Sequence, residues 1–363
     1  MYNSAPIKEM KNVFAMKHYL FTMAFASMGA ACLCSCRNDS LTETTLSLDE
    51  FTEKSIENEH KWEGAPDNQI IGAIYSQPGQ YVVFMPMDSC RVWFYDLNMN
   101  FMYRRASAGQ GPGEFIDPLY CGQWIQNDTA GIETAILDTP TERIMVVSDK
   151  FEGAKEIASL PKDLGLSPVF MIPDSGSDVL YGVSSYNSCE LGQGVMFRYD
   201  TVSDSLIYSS PSFQIEDRKS SFYLMQKAIA ASHDCKHFVN AYLYEPVIEL
   251  WNGELELIKK MKLKDAGLVG RFDEDNYNSN MSYFRCAQID EKYIYVMYYG
   301  RTYRHPGDSY LLVFDHSGAP VCKINIGESY WFTVNISERT IITLKLSAEE
   351  EPEVYIASLP DTL

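Results

Sequence analysis

The sequence predicts an all-β chain, a six-bladed β-propeller of four-stranded antiparallel blades. Three observations carry that expectation. Downstream of residue 70, short runs of Val, Ile, Tyr and Phe follow one another, broken by turn residues at roughly ten-residue spacing. Long stretches of helical period are lacking, and "SFYLMQKAIAAS" comes nearest. The runs also combine into units that recur every 45 to 55 residues or so, roughly the length of a propeller blade.

The first element in chain order is a leader. "MKHYLFTMAFASMGAACLCSC" begins at Met16, with Lys17 and His18 as a short basic start. Tyr19 to Leu33 is apolar, and about fifteen such residues suit a signal-peptide core better than a bilayer span. Translation is expected to start at Met16 or Met10, within a signal covering 1–35. The run ends in "LCSC", with Leu33 three residues before Cys36 and Ser35 just before it. This resembles the bacterial lipobox, which implies that Cys36 is lipid-modified and becomes the mature N-terminus. Residues 36–60 are polar, acidic and poor in aromatics, so they are expected to form a flexible tether. Within them, "TLSLDEFTEKSIEN" is expected to offer a ring-closing strand beside "EVYIASL". Residues 61–363 form the propeller domain.

The blades follow. "RVWFYDLNMNFMYRR", "MFRYDTVSDSLIYSS", "VIELWNGELELIKKM" and "LLVFDHSGAPVCKIN" each read as strand, polar turn, strand. "IIGAIYSQPGQYVVFMP", "AIAASHDCKHFVNAYLY" and "CAQIDEKYIYVMYYG" are a second kind of hairpin that precedes several of the first. One hairpin of each kind makes a four-stranded meander. Six fit, near 70–115, 116–165, 166–215, 216–270, 271–327 and 328–360. A meander with two apolar faces does not stand alone, whereas radial packing buries both faces against its neighbours.

The lipobox, the acidic tether, "GQGPGEF" after the first "VWFYDL" unit, and "VFDHSGAPV" near the end together resemble the exported TolB-like six-bladed β-propeller lipoproteins. The resemblance spans residues 33 to 360. It implies a propeller in the bacterial cell envelope, lipid-anchored in the outer membrane, and no established reaction. No catalytic residue carries over from it.

Charge narrows the partners. A formal net charge of -19 makes nucleic acid an unsuitable ligand. The six cysteines beyond the leader, Cys90, Cys121, Cys189, Cys235, Cys286 and Cys322, are scattered without a CxxC pair, so no metal knuckle is expected, and most read as small buried apolar residues. His233 and His237 in "SHDCKH" sit in a hairpin turn that separates the imidazoles. "RFDEDNYNSN" lacks the order of a calcium loop. No cofactor and no metal site is expected.

"GQGPGEF", residues 109–115, lacks the Lys-Ser/Thr of a phosphate loop and reads as a corner between blades. Glu114 is expected to pair with Arg104 or Arg105, and Arg105 and Glu114 are also candidates for touching a ligand. "GRTYRHPGDSY" offers Arg301, Arg304 and His305 to grip a carboxylate or sugar at the channel mouth. The expected function is a monomeric, non-catalytic binding or scaffold module holding a peptide, glycan or protein. The alternative is a propeller enzyme, a lactonase, lyase or glycan-cleaving protein, with an acidic or metal site at the channel.

Overall fold

The structure is a computed structural model. It describes residues 42–64, 71–86, 88–127, 131–161, 166–171, 178–184, 195–209, 223–264, 266, 271–303, 305–346, 351–361 and 363. The leader, Cys36, Cys189 and Arg304 lie outside the described residues.

The chain forms six sheets in a six-bladed all-β propeller. Three strands come first: β1 (Thr42–Leu46), β2 (Thr52–Ser55) and β3 (Glu57–Lys61). Blade 1 is β4 (Ala73–Gln77), β5 (Gln80–Phe84), β6 (Cys90–Asp96) and β7 (Phe101–Ser107). Blade 2 is β8 (Pro118–Asn127), β9 (Gly131–Asp138), β10 (Arg143–Val147) and β11 (Lys155–Ser159). Blade 3 is β12 (Leu166–Met171), β13 (Val179–Ser184), β14 (Met196–Asp200) and β15 (Ser205–Tyr208). Blade 4 is β16 (Lys227–Ala231), β17 (His237–Tyr242), β18 (Val247–Asn252) and β19 (Leu257–Leu263). Blade 5 is β20 (Met281–Ile289), β21 (Tyr293–Thr302), β22 (Tyr310–Asp315) and β23 (Pro320–Asn325). Blade 6 is β24 (Ser329–Asn335), β25 (Thr340–Leu346) and β26 (Pro352–Ser358). From β4 onward, each strand falls inside the blade range expected for it.

Strand alternation explains the ring. On β5, Val82 faces the seam with blade 2, while Tyr81 and Val83 face the seam with blade 6. On β21, Ile294 and Val296 pack toward blade 4, and Tyr295 and Met297 toward blade 6. Both residue sets of one strand are buried, so the core is a set of apolar seams, one between each pair of neighbouring blades.

Closure uses the N-terminal strands. β3 pairs antiparallel with β26 as the fourth strand of blade 6. Before that, β1 adds in parallel to β19 and β2 to β23, giving blades 4 and 5 a fifth strand. From Thr42 onward, the stretch expected as a tether is therefore edge strand. The outer edges of blades 4, 5 and 6 offer unpaired N–H and C=O groups, and an adjacent polar segment satisfies them. Lys323–Glu53 (3.1 Å), Lys345–Glu59 (2.6 Å) and Lys61–Glu353 (2.8 Å) add ion pairs along this strap. Trp62, just after β3, then enters the seam between blades 6 and 1, edge-on to Tyr95 at 5.1 Å.

"GQGPGEF" is a corner linking β7 to β8. The Gly109 and Phe115 backbones bond at 2.9 Å, and Phe115 is fully buried. Glu114 pairs with neither arginine. Its carboxylate folds back over the loop and accepts the Gly111 N–H at 2.7 Å, and a Cβ on Gly109 would lie 2.0 Å from it. The loop's own unpaired amides are nearer than the arginine heads, which explains the difference. Among the described residues no helix is long and apolar enough to cross a membrane.

Candidate ligand-binding site

The first strand of each blade lies innermost. β4, β8, β16, β20 and β24 line a central cavity of about 330 Å³. A second cavity of about 290 Å³ lies toward the end of the ring that carries the links between blades. It is bordered by Leu243, Tyr244, Tyr277, Asn280, Ser282, Tyr303 and Tyr330. Arg285 lines both, so it stands at their junction.

A break in strand regularity puts Arg285 there. Between Phe284↔Tyr298 and Ala287↔Val296, β20 runs one residue longer than β21. This bulge interrupts the alternation between the two seams, which is how bulges re-aim a residue: Phe284 packs in the seam with blade 4 and Cys286, two residues on, in the seam with blade 6. A second irregularity on β8, between Tyr120 and Trp124, places Gly122 at φ +82° against Tyr75.

The guanidinium of Arg285 lies 4.2 Å from the Tyr299 ring centre and 5.4 Å from that of Tyr303. Its Nε donates to Ser282 Oγ at 3.4 Å. The ion pairs among the described residues lie elsewhere and include neither Arg285 nor Arg301. Arg301 sits 3.5 Å over the same Tyr299 ring. It donates to the Tyr299 and Asp308 carbonyls at 3.1 and 2.7 Å and to Ser309 Oγ at 3.3 Å. Tyr244 and Tyr277 share a hydroxyl hydrogen bond of 2.5 Å. Burial raises the Tyr330 phenol to about 12 and also pushes the Tyr244 phenol up.

In the central cavity, Lys227 is half-buried and lies 5.0 Å from the Tyr242 ring. Burial pulls its amine down to about 8, against the pull of buried Glu249, whose carboxylate accepts from Tyr242 (3.1 Å) and Trp251 (3.2 Å). His233, in the β16–β17 turn, stacks on Trp124 across the channel at 3.6 Å. Among the described residues, neither lining contains an Asp or Glu, in a chain that carries 49. The sixth inner strand, β12, has none in its sequence either.

The residues singled out in the sequence fall in different places. Arg105 lies on the outer strand β7, 4.7 Å over Tyr103, with its Nε on the Ser148 carbonyl. With Glu114, it belongs to the seam of blades 1 and 2, away from both cavities. Arg301 braces the mouth from behind Tyr299. His305 is exposed and hydrogen-bonded to Thr302. Arg304 and Cys36 lie outside the described residues. Sequence reading missed Arg285, Lys227 and the tyrosines. "SYFRCAQI" did hold a sign: a single charged residue, an arginine, inside an inner strand.

Among the described residues no three of His, Cys, Asp and Glu converge as a metal site. Cys90, Cys235, Cys286 and Cys322 are free thiols, all but Cys90 buried.

No family model and no curated protein matches the chain. Among solved structures, it is similar to a member of the DUF4221 family from Bacteroides vulgatus, at 10% identity and TM-score 0.57, over 84% of this chain and 96% of that one. A calcium-binding regucalcin from Agrobacterium tumefaciens aligns at 10% identity and TM-score 0.48, over 85% and 97% of the two chains. At such identity the first likeness shows the fold alone, and the second carries no argument.

Proposed function

We propose that this chain is an exported lipoprotein of the TolB-like propeller kind, acylated at Cys36, and that it binds a small anionic ligand in its channel without transforming it. One observation carries the binding half. A protein of net charge -19 lines two cavities that meet at Arg285 with that arginine, Lys227 and aromatic rings and, among the described residues, with no carboxylate. Cations held in a partly dry cavity attract an anion more strongly than the same groups in water. A lining without carboxylates favours binding over the acid-based catalysis weighed from the sequence. The leader and lipobox support the anchor.

The test uses the Cys36→Ser chain and isothermal titration with acetate, benzoate and phosphate, in wild-type and Arg285→Gln backgrounds. At least one anion is expected to bind and to lose affinity in Arg285→Gln. Equal affinity in both backgrounds removes the assignment. Palmitate labelling of the wild type against Cys36→Ser tests the anchor, and continued labelling of the variant removes it.

A further inference from the structure

We propose that the mouth cavity receives one acidic sugar ring, a uronic acid, with its carboxylate on Arg285 and a C–H face of the ring on the exposed tyrosines. This rests on the anion reading above and names the ligand class.

The arrangement matches that class point by point. Arg285 spends Nε on Ser282 and makes no other hydrogen bond among the described residues, so the planar fork of its terminal N–H groups is open. A fork of this shape meets a carboxylate through two parallel hydrogen bonds. Tyr299 and Tyr303 hold the guanidinium through ring contacts, and Arg301, two residues further along β21, clamps Tyr299. Arg301 is therefore a positioning residue and Arg285 the binding residue.

The walls are tyrosine. Tyr277 is 46% exposed and Tyr303 55% exposed, which leaves two large rings facing water at the edge of one cavity. A pyranose has an apolar C–H face that covers such a ring and hydroxyls that bond to phenol groups and water at the rim. At about 290 Å³ the cavity is at the small end of ligand sites, with room for a single ring. The loop that carries Tyr277 is fixed: Asn280 donates to the Asp273 and Tyr277 carbonyls and accepts the Asp273 N–H, each at 2.9 Å. A preformed site of this kind loses little entropy on binding.

The experiment is isothermal titration of the full chain in detergent with glucuronate and galacturonate, set against glucose, galactose, benzoate and phosphate. At least one uronate is expected to bind about 30-fold or more above its neutral parent, the size of a charge-assisted bidentate contact. Arg285→Gln is expected to bring that uronate to the level of the neutral sugar. Tyr277→Ala, which removes a ring that does not touch Arg285, is expected to weaken uronate and neutral sugar by the same factor. Circular dichroism melting confirms that both variants fold. Absence of saturable uronate binding overturns the proposal, as does a neutral sugar binding as tightly as its uronate. Benzoate or phosphate binding tighter than both uronates, with Arg285 dependence intact, overturns the sugar class while leaving the anion reading in place.

Discussion

Asp138 is the most informative place to perturb the corner between blades 1 and 2. It ends β9, is fully buried, and its two oxygens serve four donors. Oδ1 accepts the Ile116 and Asp117 N–H groups at 2.9 and 3.0 Å, just past "GQGPGEF". Oδ2 accepts Thr141 Oγ1–H at 2.6 Å and Arg143 Nη2–H at 3.2 Å. In Asp138→Asn the amide oxygen keeps the two backbone bonds, while the amide nitrogen meets the Arg143 donors. Losing one charge-assisted pair, discounted for an Arg143 side chain 28% exposed, costs about 2 to 3 kcal/mol. Asp138→Ala also strips the backbone donors and is expected to cost about 4 kcal/mol.

The acid dependence of this cost has a definite sign. Burial works against the Asp138 charge, but the hydrogen bonds from Thr141, Asp117, Arg143 and Ile116 outweigh it and hold the carboxyl below its ordinary value. A carboxyl depressed on folding contributes fully above its unfolded pKa, near 3.9, and loses that contribution as pH falls through the folded value. Urea midpoints followed by tryptophan fluorescence at pH 7 and pH 3 measure the gap between wild type and Asp138→Asn. The gap is expected to be wide at pH 7 and narrow at pH 3. An equal midpoint at pH 7, or an equal gap at both values, refutes the reasoning.

Three further outcomes are expected. Trp62→Ala empties the closing seam and should destabilise by about 3 to 5 kcal/mol, seen as a lower melting point; an unchanged melt would mean the strap does not close the ring. Gly113→Ala meets a backbone at φ +80° and the Ala154 amide at 3.0 Å, so it should cost about 1 to 3 kcal/mol and leave mouth binding intact; lost binding with full stability would make the corner a ligand contact. Burial pushes the Cys286 thiol up to about 12 and raises Cys235 and Cys322, so peptide mapping after alkylation at pH 8 should show Cys90 modified before those three; equal labelling of Cys286 would disprove its burial.

Much of the fold was legible because its signals are local. Val82 and its neighbours alternate between two apolar seams, and that two-residue period is visible along the chain as it stands. So are the turn residues that separate one strand from the next, and together they mark six blades along the chain. The strap was half legible. A closing strand was expected from a polar stretch, but nothing local says that Thr42–Ser55 edges blades 4 and 5 before β3 closes blade 6.

The amino-acid sequence by itself determined the all-β class, the number of blades and the glycine corner, since each follows from periods and turn chemistry within about fifty residues. Only the tertiary structure decided where the cations gather. Lys227 and Arg285 belong to different blades, and the ring brings their inner strands together around one channel. A single extra residue in β20 turns Arg285 toward that channel, and a bulge depends on the partner strand it fails to match. A pattern read along one strand carries no information about that partner.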